Sequence, residues 1–359
     1  MAATKSKRIF YFDALRALAI ICVIVVHVYA VTRVYVSGYA IIPSFQWIFS
    51  QTLGNCFRIG VDLFLMLAGA LSLGRVWSIK EFLAKRIPRI VLPFLFWGLI
   101  TSVILIIFSY YFGFKYIQSF SAGSIVDYIC GAFMSTSLGF QQYWFFWMIL
   151  GTYLIMPVFN KWLLNADLKE AEYFILIWLV TCLFDNTLNM SFPIKLSYFT
   201  SPIGLVVLGY YLRHTERKLL NNPYFDLALV MLSSVLTMAL VCWLSSPNEF
   251  VTLDRYSLPL AFEVMGVFLL FKNFKKFNMD FGFKMADGLF RKLIFNIAKY
   301  SYGIYLIQGL FLCIYSNLLQ CYEFYSYVIF LFALILFSSY VVMHVLNQIP
   351  YIRNVIGAK

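Results

Sequence analysis

Three ionisable side chains stand inside an apolar run near the start of the chain: Asp13, Arg16 and His27. Asp13 and Arg16 are i and i+3, so on a helix they share a face and pair. Arg16 and His27 are 11 residues apart, close to three turns, which puts them on one stripe about 16 Å apart along the axis. A charge at the centre of a membrane helix costs about 2.5–3.5 kcal/mol on insertion scales, so it persists mainly where it pairs or works. Histidine moves protons near neutral pH. A helix that lines one face with Asp, Arg and His faces a wet cavity.

A second basic group is Lys85-Arg86-Ile87-Pro88-Arg89. Arg86 and Arg89 are i and i+3 at the expected start of a helix. Guanidinium forks suit phosphate oxygens, and a helix N-terminus adds its own positive end. Ordinary cytoplasmic anchoring explains many such clusters. Arg58 and Asp62 are i and i+4, a spacing at which they neutralise each other. Glu263 lies inside another apolar run and needs a partner or a proton. The three histidines form no metal cluster, and no metal is expected. The seven cysteines contain no CxxC pair and read as small core residues.

The elements that must position these groups follow from composition. Of 359 residues, 62% are hydrophobic and 12% charged. Soluble domains are about 45–50% apolar and about 25% charged. Mean hydropathy is +0.82. A water-soluble enzyme, a disordered chain and a disulfide scaffold are excluded, and the bilayer is the solvent for most of the chain. Runs of about 20 mostly apolar residues fall near 10–33, 54–73, 90–112, 142–163, 171–188, 199–212, 224–245, 256–271, 299–320 and 325–348. The expectation is an all-α polytopic membrane protein with about ten transmembrane helices. The continuous runs do not alternate with period two, which excludes a β-barrel. The first run is too long for a signal peptide and carries Arg16 and His27, so it is a retained helix.

The formal charge of +12 is a topological signal, with no nucleic-acid partner implied. With both termini cytoplasmic, all but six of the 28 Lys and Arg fall on the inner side, Lys5, Lys7, Arg8, Lys284 and Lys359 among them. The exceptions are Arg16, Arg33, Arg58, Lys115, Lys195 and Arg255. An odd number of spans would scramble that asymmetry. The longer outer loop holds Ile125–Met134, a candidate short interfacial helix. The basic inner loop 272–298 suits anionic lipid or a phosphate-bearing ligand. Asn189-Met190-Ser191 has the glycosylation form, a triplet common by chance.

These residues together resemble the acyltransferase-3 family of integral membrane acyltransferases, and within it the surface-polysaccharide O-acyltransferase branch. Arg16 and His27 fit the family's Arg-x10-His signature, with Phe12-Asp13-Ala14-Leu15 before it. Gly60-Val61-Asp62-Leu63-Phe64-Leu65-Met66-Leu67-Ala68-Gly69 is similar to its second-helix segment, and Arg86-x-x-Arg89 to its basic pair. Tyr143-Trp144-Phe145-Phe146-Trp147-Met148, leading to Pro157, is similar to its Trp-rich fourth helix. Leu208-Gly209-Tyr210-Tyr211-Leu212 and Ser301-Tyr302-Gly303-Ile304-Tyr305-Leu306-Ile307 are similar to later segments. Asp62, Ala68 and Gln308 depart from residues common in the family, and Gln308 cannot exchange protons as an imidazole does.

The resemblance implies transfer of an acyl group, usually acetyl, from cytoplasmic acetyl-CoA to a hydroxyl of a glycan or lipid-linked saccharide. The expected enzyme is a multi-pass O-acetyltransferase of the cell (plasma or inner) membrane, in contact with membrane lipid. Its single domain would span residues 1–359, with no soluble extracytoplasmic domain. In that reading His27 is the general base, with Asp13 holding Arg16. Arg16, Arg86 and Arg89 bind the donor phosphates, and Arg58, Trp144 and Glu263 contact the acceptor. The rival reading is a polysaccharide or small-solute transporter, since charged stripes also mark transport routes. Transporters often carry internal repeats and paired broken helices, and neither stands out in this sequence.

Overall fold

The computed structural model describes residues 9–36, 44–190, 202–245, 249–277 and 288–358. Lys5, Lys7, Arg8, Ser191, Lys195, Lys284 and Lys359 lie outside the described residues, as does part of the basic loop 272–298. No strand occurs among the described residues. The helices are α1 (Phe10–Thr32), α2 (Phe45–Asn55), α3 (Gly60–Ser72), α4 (Ile79–Phe112), α5 (Ala122–Phe133) and α6 (Trp144–Leu163). They continue with α7 (Leu168–Phe184), α8 (Pro202–His214), α9 (Pro223–Leu244), α10 (Leu258–Asn273), α11 (Leu289–Leu318) and α12 (Phe324–Leu346).

Seven stretches are long and apolar enough to cross a membrane: Phe10–Tyr35, Phe45–Ser72, Ile79–Phe112, Gln141–Leu163, Pro223–Leu244, Leu289–Leu318 and Phe324–Leu346. Helices α7, α8 and α10 coincide with three further expected runs but have only 17, 13 and 16 residues. That is short of the length that spans about 30 Å of hydrocarbon. Helix α5 is a 12-residue helix where a short one was expected.

Helix α1 is the central element. It touches α2, α3, α10, α11 and α12, and its small and β-branched residues Ala17, Ala19, Ile20, Val23 and Ile24 are buried. A helix packed against five neighbours holds its polar stripe in fixed register. Helices α3 and α8 cross tightly because glycines face backbone there. A Cβ on Gly69 would collide with the Val206 carbonyl, and one on Gly209 with the Met66 carbonyl. Small residues permit such close approach inside membranes. Helix α9 lies at the periphery, exposing Leu227, Met231, Leu232 and Val235.

Three sequence expectations are corrected. First, α4 begins at Ile79, with Ser78 capping it by accepting from the Glu81 N–H at 3.1 Å, and it continues through Pro88 and Pro93. Arg86 and Arg89 therefore lie in the second and third turns. The helix dipole acts mainly within the first turn, so it adds little to the charge of this pair. Second, the stretch before α3 is broken by a 3-10 turn, Cys56–Ile59. Arg58 sits on that turn and Asp62 on α3, and the two still act on each other electrostatically. Arg58 Nε and Asp62 Oδ1 are buried without a hydrogen bond, and no ion pair joins them among the described residues. Third, α11 starts at Leu289, ten residues before the expected run.

Candidate functional site

Two polar regions interrupt the apolar bundle, and α1 runs between them. The first is a cavity of about 370 Å³ at the end of the bundle where α1 begins. Arg16 of α1, Arg86 and Arg89 of α4 and Lys299 of α11 line it, with Tyr302 and Tyr305 on its inner wall. No carboxylate is among its lining residues. The structure thus brings Arg16, Arg86 and Arg89 together and adds Lys299.

Three of the four cations at this mouth are oriented by contacts within the protein. Arg16 Nη1 donates to Asp13 Oδ1 at 3.3 Å. Asp13 is 4% exposed, so it holds the guanidinium from the protein side. Arg86 Nη2 donates to Ser72 Oγ at 2.8 Å, and its guanidinium lies 5.9 Å from the Phe82 ring centre. Lys299 Nζ lies 5.2 Å from the Tyr300 ring centre. The C-terminal segment closes one wall: Trp97 Nε1 donates to the Ile356 carbonyl at 3.1 Å, and Gly357 lines the cavity with φ +83°. Such a φ suits glycine, which has no Cβ to clash. Four cations without a lining carboxylate make a receptor for a multiply charged anion.

The second region lies deeper along α1. His27 is enclosed by the protein yet keeps some accessible surface, as expected of a ring facing internal space. Gln308 of α11 stands beside it, and Arg255 is close enough to act on it electrostatically. Arg255 also acts on Asp62 and Arg58. Gln308 is 1% exposed, and neither its amide nitrogen nor its oxygen makes a hydrogen bond. Arg58 Nε, Arg255 Nη1 and Asp62 Oδ1 are likewise buried without a partner. Leaving a buried polar atom unpaired costs about 1–3 kcal/mol. Gln308 beside His27, and Arg58 and Asp62 within reach of Arg255, thus form a run of buried polar groups inside the apolar bundle.

Arg255 is held from two sides. Its guanidinium stacks on the Trp144 ring at 4.1 Å. Its loop is fastened by α2, where Trp47 Nε1 donates to the Glu249 carbonyl at 3.2 Å. Gln51 Nε2 and Asn55 Nδ2 donate to the Val251 carbonyl at 3.3 and 3.0 Å. The Leu253 N–H donates to Asn55 Oδ1 at 2.9 Å. The polar side of α2 exists to hold this loop.

Sequence reading missed Arg255, which it counted only as an outer-loop cation. A visible signal was the apolar-to-polar switch in α2, whose Gln51 and Asn55 needed backbone partners. Glu263 of α10 is buried against α9. Its Oε1 accepts from Ser234 Oγ at 2.8 Å and its Oε2 is buried without a partner. Neither His27 nor Glu263 lines the mouth cavity. Tyr305 links the two regions, lining the mouth cavity while lying within the field of Arg255. Its hydroxyl donates to the Gln142 carbonyl.

Residues 9–344 match a family model described as an acyltransferase domain, that of the acyltransferase-3 family. No curated protein and no solved structure matches the chain.

Proposed function

The chain belongs to the acyltransferase-3 family, and from that premise we propose that it is a cell-membrane O-acetyltransferase of the surface-polysaccharide branch. It takes acetyl from cytoplasmic acetyl-CoA and passes it to a hydroxyl of a cell-surface glycan or lipid-linked saccharide. The observation that carries this reading is the single stripe on α1. Arg16 stands in a cavity lined by four cations and no carboxylate, and His27 stands about three turns further on beside the buried, unpaired Gln308.

The chemistry divides between the two regions. Arg16, Arg86 and Arg89, with Lys299, bind the donor phosphates, and Asp13 orients Arg16. His27 accepts the proton of the acceptor hydroxyl, because a protonated alcohol is a poor nucleophile. The hydroxyl oxygen attacks the thioester carbonyl carbon. The carbon–sulfur bond then breaks, the new ester forms, and the imidazolium returns its proton to the leaving thiolate. Arg58, Trp144, Arg255 and Gln308 surround the acceptor. Glu263, outside this group, contacts a more distant part of it. No metal takes part.

In the membrane the same reading uses ten spans, with α7, α8 and α10 completing the seven long stretches. Both termini are cytoplasmic, so the mouth opens on the side that holds acetyl-CoA. Residues 1–359 act as one catalytic domain. The test is reconstitution into vesicles with acetyl-labelled acetyl-CoA and an acceptor glycan. The proposal predicts acceptor-dependent release of free CoA with label on the glycan. Movement of glycan or solute with the thioester intact contradicts it and supports transport.

A further inference from the structure

A second recess opens beside the mouth cavity and shares Leu71, Arg86 and Arg89 with it. Its volume is about 220 Å³, and Arg75, Lys85, Trp77 and Phe82 complete its chemistry. Four cations line it against one carboxylate, Glu81. The like charges are felt: partial burial, then the guanidiniums of Arg213 and Arg86, push the Arg75 pKa down. An anion placed among them relieves that repulsion.

The recess also has a fixed aromatic face. Trp77 stacks on Phe82 with ring centroids 4.2 Å apart and planes 17° apart. Its indole nitrogen donates to the Ser72 carbonyl at 3.0 Å. The turn that presents Arg75 is pinned by Asn160 of α6. Asn160 Oδ1 accepts from the Gly74 N–H at 2.8 Å, and Asn160 Nδ2 donates to the Arg75 carbonyl at 2.9 Å. The same Ser72 whose carbonyl holds Trp77 also holds Arg86 through its hydroxyl. One turn therefore sets the aromatic face, the recess cations and the mouth cation in a fixed relation.

Coenzyme A carries negative charge at two separated places, the 5′-diphosphate and the 3′-phosphate of one ribose, and that ribose also carries a flat adenine. The mouth cavity and the recess are two cation-lined spaces joined through Arg86 and Arg89, an arrangement that matches two charged places on one ligand. We propose that the recess is a 3′-phosphoadenosine subsite, in which Arg75 and Lys85 bind the 3′-phosphate and Trp77 packs against the adenine. Arg86 and Arg89, shared by both spaces, then bridge to the diphosphate. This rests on acetyl-CoA being the donor. It adds that the protein discriminates the phosphorylated nucleotide from its dephosphorylated form.

The test compares acetyl-CoA with acetyl-dephospho-CoA on the full-length protein in vesicles of phosphatidylethanolamine with varied phosphatidylglycerol. The wild-type kcat/KM favours acetyl-CoA by about tenfold or more, as charge-assisted hydrogen bonds to a phosphate allow. Arg75→Ala with Lys85→Ala brings the two donors within about twofold, by loss on acetyl-CoA only. Trp77→Ala weakens both donors alike, and Trp77→Phe restores both. A donor ratio that the double variant leaves unchanged overturns the proposal. So does a loss that falls equally on both donors and varies with phosphatidylglycerol, which assigns the recess to a lipid headgroup. Turnover of neither donor by the wild type overturns the donor reading itself, a result distinct from failure of the subsite alone.

Discussion

At the mouth, Arg16 meets Asp13 and Arg86 meets Ser72. In the deeper region, Arg58 Nε, Asp62 Oδ1, Arg255 Nη1 and both amide atoms of Gln308 are buried and make no hydrogen bond. The mouth is lined by four cations, of which Arg16, Arg86 and Lys299 are oriented by the protein, so occupying it relieves repulsion among like charges. The deep cluster is buried, so its unpaired atoms carry a desolvation cost until a ligand or water satisfies them. The first arrangement suits grip on a soluble, highly charged donor. The second suits groups that act only when the reacting hydroxyl is present, as functional sites tend to do at the expense of stability.

This contrast can be broken at several points. The largest effect is expected at His27. His27→Gln removes the base while keeping a polar side chain, and turnover should fall by about 10²–10⁴-fold, read as CoA release at saturating donor. Next comes the mouth. Arg86→Ala with Arg89→Ala should raise the donor KM by about 10–100-fold and leave kcat nearly unchanged, since each charge-assisted hydrogen bond is worth about 1.5–3 kcal/mol. A fall in kcat without a change in KM would place the pair in the chemistry instead.

Gln308 gives a sharper contrast. Gln308→Met replaces two unpaired buried atoms by an apolar chain of similar length. Relieving an unsatisfied group should raise thermal stability by about 1 kcal/mol or more while transfer falls about tenfold. The opposite sign is expected at the mouth: Ser72→Ala takes away the hydrogen bond that holds Arg86 and should cost about 0.5–1.5 kcal/mol. Thermal unfolding of the two variants side by side checks both signs. The smallest effect is ionic. Raising salt from 0.05 to 0.5 M, an order-of-magnitude screening range, should weaken donor binding about severalfold and leave acceptor binding alone.

How far the sequence carried these conclusions depends on whether a feature is local. The α1 stripe was fully legible, because Asp13, Arg16 and His27 share one regular helix and the spacing alone sets their face. The basic pair was legible for the same reason, although eleven residues of helix, Pro88 among them, precede the apolar run. Helix α2 was hidden because Gln46, Ser50, Gln51, Thr52 and Asn55 break its apolar pattern. Of these, Gln51 and Asn55 hold the backbone of a loop some 200 positions away. The start of α11 was hidden by Arg291, Lys292 and Asn296. The deep cluster was the least legible part. Whether Gln308 or Arg255 is satisfied depends on what packs against it, and Arg58 sits on a 3-10 turn rather than on the helix of Asp62.

The division of labour between mouth and cluster is tested most directly by measuring donor binding and turnover on the same two variants. His27→Gln should bind acetyl-CoA with wild-type affinity and release almost no CoA. Arg86→Ala with Arg89→Ala should bind acetyl-CoA weakly and still turn over when donor is raised to saturation. If both variants lose the same quantity, or if His27→Gln transfers acetyl at the wild-type rate, the account is contradicted.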